Sequence, residues 1–106
     1  MITEIVYLDL APGTRRDQVL ATYRQSAPVW SKNEDLIYKY YFFDEAASLG
    51  GGVYIWKDKS AALRWHGDEY KARIREQYGC EPRISIFDTL IKIDNLNQEV
   101  TEPAQA

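Results

Sequence analysis

The pattern of apolar and polar positions predicts four strands that are apolar on both faces. They are Ile2–Leu10, Leu36–Phe43, Val53–Trp56 and Arg83–Asp94, in which alternate side chains point to opposite sides of a sheet. A strand with one face in water normally alternates apolar with polar residues. The sheet is therefore expected to be covered on both faces.

The second and third of these strands form the centre of the pattern. Alternation places Tyr38 and Tyr40 on the same side as Leu36, and Tyr54 on the side opposite Val53. The break between the two strands ends in the glycine run 50–52, which suits a reversal with positive φ. The sequence predicts a hairpin with its turn at these glycines.

A first helix is predicted between the first two strands. Thr14 has the position of an N-cap, and Asp17 lies three residues later, where an acid favours the helix dipole. Apolar residues then recur at helical spacing up to Trp30. Pro28 lacks an amide proton, so the helix is expected to end or kink near it.

The second helical region follows Trp56, with Asp58 or Ser60 as its cap. One apolar stripe would continue to Tyr78 if the helix were unbroken, but Gly67 interrupts it. Two pieces, about 60–66 and 68–78, fit the pattern equally well. Gly79 is expected to stop the helix in the left-handed conformation.

The order strand-helix-strand-strand-helix-strand predicts an α+β ferredoxin-like fold with a four-stranded antiparallel sheet. Residues 1–95 would form this single domain, and residues 96–106 a flexible C-terminal tail. Helices cover only one face of such a sheet, while the other carries several aromatic side chains. A second copy packed on that face is the expected cover, which predicts a homodimer.

Composition narrows the function classes. The net charge is −3 and no basic stripe is present, which argues against nucleic-acid binding. No segment has the apolar length of a membrane span, and no secretory signal is visible. The single cysteine, Cys80, cannot form an internal disulfide, so a cytoplasmic location is expected. No metal-ligand cluster, phosphate loop or dinucleotide fingerprint is present, so no cofactor is expected.

Four segments resemble the YdhR-like putative monooxygenases of the dimeric α+β barrel superfamily. They are SAP (26–28), LIYKYYFF (36–43), GGGVYIWKDKSAA (50–62) and YGCEPRISIFDTLIKIDN (78–95). The resemblance implies that two sheets from two subunits form a barrel, with one pocket per subunit between sheet and helices. The wider superfamily contains cofactor-independent oxygenases, haem-degrading enzymes, isomerases, cyclases and small binding proteins.

Three functional hypotheses follow from the resemblance. The first is a cofactor-independent monooxygenase acting on an electron-rich aromatic or polyketide-like small molecule. The second is a cyclase, isomerase or lyase that uses His and Tyr acid-base chemistry without oxygen. The third is a non-catalytic protein that binds a small ligand or serves as an accessory protein.

His66 is the candidate catalytic residue, because it is the only histidine and its ordinary pKa is near neutrality. The alternative is a half-exposed residue at a helix end next to Gly67. Asp88 interrupts an apolar strand face and is a candidate substrate-binding residue, since a carboxylate there needs a partner. The alternative is an ion pair or amide contact at a subunit interface. Lys39 is a possible partner, although the sequence leaves its face open.

Aromatic residues provide the remaining candidates for substrate binding. A flat aromatic ligand would suit a pocket walled by rings whose hydroxyl groups fix its orientation. Packing in the core or at a dimer interface is the alternative for each of them. The candidates are Tyr7, Tyr40, Tyr54, Trp30 and Trp65, the last chosen because it adjoins His66.

Overall fold

The computed structural model describes residues 1–104, which form two sheets and three helices. The elements in chain order are β1 (Ile2–Asp9), α1 (Arg16–Ser31), β2 (Leu36–Asp44), β3 (Leu49–Trp56), α2 (Lys59–Trp65), α3 (Asp68–Tyr78), β4 (Arg83–Asp88), β5 (Lys92–Asp94) and β6 (Glu99–Thr101).

The main sheet has four antiparallel strands in the order β2-β3-β1-β4. With α1 between β1 and β2, and α2 and α3 between β3 and β4, this is the ferredoxin-like arrangement. The predicted fold class is confirmed. The pairing of two such sheets in a dimer stays a prediction.

The two faces of the sheet differ in cover. On β1, the four residues at alternate positions from Ile2 to Leu8 are buried beneath the helices, together with Tyr54 and Trp56 of β3. Within residues 1–104, no helix covers the other face. Tyr40 and Phe87 on that open face keep 61% and 52% of their surface exposed, which agrees with the predicted need for cover.

An irregularity in β2 decides which side chains meet the helices. Leu36 pairs with Trp56, but Tyr38 pairs with Ile55, so the register shifts by one residue at Ile37. Alternation predicted that Leu36 and Tyr38 share a face, and this was wrong because the bulge separates them. Beyond the bulge, Lys39 lies opposite Tyr54 and therefore on the helix-covered face.

The hairpin between β2 and β3 is present, but its turn is not at the glycines as predicted. The chain reverses at residues 45–48, where Ser48 has φ 51° and its N–H donates to the carbonyl of Glu45. The glycine run belongs to β3. Gly51 has φ 144°, and a Cβ there would lie 1.9 Å from the carbonyl oxygen of Val6. The close approach of β1 requires glycine at this position.

The start of α1 also differs from the prediction. Its N-cap is Arg15 and not Thr14, whose hydroxyl instead donates to the carbonyl of Ala11 at 2.6 Å. The side chain of Gln18 accepts from the backbone N–H of Arg15 at 3.0 Å. Pro28 lies inside the last turn of the helix, which ends three residues later at Ser31, close to the predicted position.

The second helical region consists of the two predicted pieces, α2 and α3, separated at His66 and Gly67. Asp58 caps α2 by accepting from the N–H of Ala61 at 2.8 Å. Gly79 ends α3 with φ 72°, as predicted. Across the described residues, no helix is long and apolar enough to cross a membrane.

The C-terminal part departs from the predicted single strand 83–94. The main-sheet strand β4 ends at Asp88, and the chain then forms the separate hairpin of β5 and β6. The predicted tail therefore contains a strand, Glu99–Thr101, whose side chains are exposed. The division of the chain at residue 95 stays a prediction.

Candidate functional site

A cavity of about 100 Å³ lies between the helix-covered face of the sheet and helices α1 and α3. Aromatic rings from four elements line it, including those of α1 (Trp30), β2 (Tyr41), β3 (Tyr54) and α3 (Tyr70). A cavity of this size holds several waters or one small ring, since an apolar cavity of roughly 150 Å³ binds benzene. The predicted pocket between sheet and helices is therefore small in this chain.

The amine of Lys39 lies among three of these rings. Its Nζ atom is 3.8 Å from the ring centroid of Tyr41 and 4.5 Å from those of Trp30 and Tyr54. Aromatic faces attract a cation, but they replace the hydration of an ammonium group only in part. The bulge in β2 is what brings this amine into the cavity.

No carboxylate compensates the charge of Lys39. No acidic residue lines the cavity, and across residues 1–104 no ion pair involves this side chain. Burial accordingly lowers the pKa of Lys39 from 10.5 to about 7. A substantial fraction of the amine is therefore neutral at physiological pH and able to accept a proton.

The tyrosine hydroxyls of the cavity remain protonated at the same pH. Burial raises the pKa of Tyr41, whose hydroxyl lies 2.5 Å from that of Ser26. Burial raises the pKa of Tyr70 to about 12 and that of Tyr54 well above its ordinary value. The cavity therefore combines a neutral base with hydroxyl groups that can donate hydrogen bonds.

A second buried polar centre lies beneath α2. Glu4 of β1 is fully buried, and its Oε1 accepts from the indole N–H of Trp56 at 2.8 Å. The same oxygen lies 2.5 Å from Nδ1 of His66. Oε2 of Glu4 and Nε2 of His66 have no hydrogen-bond partner within the described part of the chain.

His66 is enclosed by aromatic rings and has no side-chain exposure. Its ring centroid lies 4.1 Å from that of Tyr70, 4.4 Å from that of Tyr54 and 5.5 Å from that of Trp30. Burial lowers the pKa of His66, while the carboxylate of Glu4 acts in the opposite direction. The imidazole is thus held neutral near pH 7.

His66 does not line the cavity itself. The three rings that touch it, those of Trp30, Tyr54 and Tyr70, are also walls of the cavity and stand between the imidazole and the cavity space. The predicted catalytic role of His66 stays a prediction. A direct role requires that one of these rings move.

The structure brings two of the predicted binding residues, Trp30 and Tyr54, into the cavity wall. Tyr7 and Tyr40 lie on the open face of the sheet instead. Tyr7 packs edge-on against Phe42 at 6.1 Å, and Tyr40 stacks beside Tyr38 at 6.4 Å.

Trp65 and Asp88 also lie outside the cavity. Trp65 points away from its neighbour His66, and its indole N–H donates to Asp35 at 3.1 Å near the surface. Asp88 shares a side of β4 with Ile84 and Ile86, as predicted. This is the helix side of the sheet, where Asp88 lies opposite Ile2 but is exposed at the end of the strand. The proposed partnership of Asp88 with Lys39 does not occur among the described residues.

Three residues of these centres were missed or undervalued in the sequence. In the sequence, Glu4 has the position of an exposed polar residue that interrupts an apolar strand. The face of the sheet on which Lys39 lies depends on the bulge in β2. Tyr70 lies on the predicted helical stripe with His66, which is the signal that could have paired them.

No group of three or more His, Cys, Asp or Glu residues that could hold a metal occurs within the described chain. No protein-family model matches the sequence, and no curated protein matches it at a significant level. The site is therefore interpreted from its own geometry.

Proposed function

We propose that the protein is a cofactor-independent monooxygenase for a small, electron-rich aromatic molecule. The observation that carries this proposal is the unpaired Lys39 amine in a cavity walled by aromatic rings. The volume of about 100 Å³ favours a single-ring phenol or enol over a polycyclic one.

Lys39 has the properties of the base for this reaction. Its neutral amine takes the hydroxyl proton of the phenol, and the resulting ammonium remains beside the phenolate in a water-poor cavity. The hydroxyl of Tyr41 or Tyr54 can donate a hydrogen bond that holds the ring oxygen. The His66–Glu4 pair lies behind the wall and keeps the rings in position.

Molecular oxygen then takes electrons from the substrate anion. The ring gains one oxygen atom and loses two hydrogens, and the second oxygen atom leaves as water, so that a phenol becomes a quinone. Exclusion of water protects the anion from being reprotonated by solvent.

The test is oxygen uptake with a panel of single-ring phenols, measured with an electrode and checked by mass analysis of the product. Lys39→Met should reduce uptake by about 100-fold or more, the size of a lost general base. Lys59→Met removes an exposed lysine outside the cavity and should leave uptake unchanged. Equal uptake by both variants would refute the role of Lys39.

An alternative without oxygen, a cyclase, isomerase or lyase, is favoured by the coexistence of a neutral amine and protonated tyrosines. Such a pair moves a proton from one atom of a carbonyl compound to another. Turnover of an enolisable ketone that is equally fast under argon would establish this alternative. A non-catalytic binding protein is the third possibility, and it predicts thermal stabilisation by phenols with no product.

We also propose that the open face of the sheet packs against a second copy. The support is its row of exposed apolar side chains, including Tyr38, Tyr40 and Phe87. Light scattering should give the mass of a dimer, and Phe87→Glu should give a folded monomer. A wild-type monomer at high concentration would refute this proposal.

The free thiol of Cys80 is compatible with the predicted cytoplasmic location.

A further inference from the structure

We propose that Lys39 is also a nucleophile, and that it forms a Schiff base with a small aromatic aldehyde or ketone bound in the cavity. This inference does not depend on oxygen chemistry. It rests on the surroundings of the amine, which lies against three ring faces and next to open cavity space.

The charges around the cavity favour a neutral amine. Every titratable side chain that lines it besides Lys39 is either a tyrosine or the exposed Arg73 of α3. The tyrosines come from four of the five elements around the cavity, while β1 contributes only apolar side chains: Tyr23, Tyr41, Tyr54, Tyr70 and Tyr78. The nearest buried acid, Glu4, is engaged with His66 behind the ring of Tyr54.

A lysine in such surroundings is a typical carbonyl nucleophile, because desolvation next to apolar groups or cations makes the amine available. Burial lowers the pKa of Lys39 to about 7, so a substantial fraction of its amine is neutral at pH 7. An exposed lysine with a pKa of about 10.4 is neutral in fewer than about one molecule in a thousand.

The chemical step is balanced without an oxidant or a cofactor. The amine nitrogen attacks the carbonyl carbon, a C–N bond forms, and the amine proton moves to the carbonyl oxygen to give a carbinolamine. Loss of one water then gives the C=N bond. A tyrosine hydroxyl of the cavity, such as that of Tyr41, can protonate the departing hydroxyl group, because its raised pKa keeps it protonated.

The wall also selects the carbonyl compound. The rings of Trp30 and Tyr54 stand edge to face at 5.4 Å, so a single aromatic ring can extend their packing. An aliphatic aldehyde of equal size would lack these ring contacts. The volume of about 100 Å³ limits the ligand to one ring at most, and benzaldehyde is the smallest aromatic aldehyde.

The experiment is reductive trapping with benzaldehyde and cyanoborohydride at pH 7, followed by peptide mapping. The exposed Lys57 and Lys59 of the same molecule are internal controls. Lys39 should be modified at least about tenfold faster than either, as its larger neutral fraction requires. Butanal should show a smaller preference for Lys39.

Modification of Lys39 at the rate of the exposed lysines would overturn the proposal, and this result needs no variant. Lys39→Arg, checked for folding by circular dichroism, should lose the fast modification while the slow ones remain. The outcome is independent of oxygen uptake. Fast trapping without oxygen uptake would establish Lys39 as a nucleophile and refute the monooxygenase. Oxygen uptake without fast trapping would support the monooxygenase and refute the nucleophile.

Discussion

Two basic side chains, His66 and Lys39, lie on the helix-covered side of the sheet, and the ring of Tyr54 touches both. Its centroid is 4.4 Å from that of the imidazole and 4.5 Å from the Lys39 amine. Burial lowers the pKa of both groups. They differ in one respect: His66 has a buried carboxylate 2.5 Å away, whereas Lys39 has only rings.

This difference favours a structural role for the pair of His66 and Glu4, and it supports the chemical role proposed for Lys39. Glu4 serves Trp56 and His66 together, so the three side chains join β1, β3 and the end of α2 into one unit. Lys39 gains no such compensation and borders a cavity. A fold retains an uncompensated amine at a cost in stability, and the strong perturbation of such a group is typical of a functional site.

The largest expected effect comes from removing the carboxylate. Glu4→Leu leaves the buried Trp56 indole and His66 imidazole without their shared acceptor. At about 1–3 kcal/mol for each unsatisfied donor, the free energy of unfolding should fall by about 2–5 kcal/mol in urea titrations. The control is Glu81→Leu, which breaks an exposed ion pair with Arg75. Its loss should stay below about 1 kcal/mol.

Glu4→Gln provides the graded comparison if Glu4→Leu does not fold. The amide oxygen can still accept from the Trp56 indole, so the loss should be about 1–3 kcal/mol, and the fluorescence of the folded state should be retained. Equal stability of Glu4→Leu and the Glu81 control would show that the buried centre has no structural role.

An intermediate effect is expected from the missing partner of Lys39. Between pH 7 and pH 10.5 the unfolded chain holds a proton on this lysine that the folded chain has released. Stability should therefore rise with pH across this window, and below it the amine is protonated in both states. The rise should be about 1–2 kcal/mol, less than the full shift implies, because the side chain borders the cavity and keeps some contact with water.

Lys39→Met should remove this rise while keeping the side-chain volume. Urea titrations at three values of pH through the window, run beside Lys59→Met, measure the difference. If the stability of the wild type changed with pH as little as that of Lys39→Met, the amine would be exposed to water in the folded protein. The chemistry proposed for Lys39 would then lack its basis.

The fold could be predicted from the sequence because hydrophobic periodicity identifies the helices and strands, and their order along the chain identifies the fold class. Helix and strand stripes, the break at Gly67 and the stop at Gly79 all depend on local chemistry that one chain displays. The wrong predictions concern positions at which a contact between distant segments of the chain determines the local structure. The glycine run was read as a turn, but Gly51 is required because β1 approaches it closely.

The candidate site was predicted only in part, for the same reason. His66, Trp30 and Tyr54 were named, since residue type alone marks a lone histidine and large rings. The partner of His66 lies 62 positions away at Glu4, and nothing local indicates that this acid is buried. The face of Lys39 changes with one bulged residue, which alternation does not reveal.

The smallest effect concerns the ionisation of His66. Its imidazole gives the only histidine signals in the NMR spectrum, and they should titrate below 6.5 because burial outweighs the carboxylate. In Glu4→Gln the opposing carboxylate is gone, so the midpoint should move lower still. As the pH falls below 6.5, the unfolded chain takes the proton first and stability declines. A midpoint above 6.5 that drops in Glu4→Gln would instead make His66 a charged partner of Glu4, and the two basic centres would then differ in charge as well as in partner.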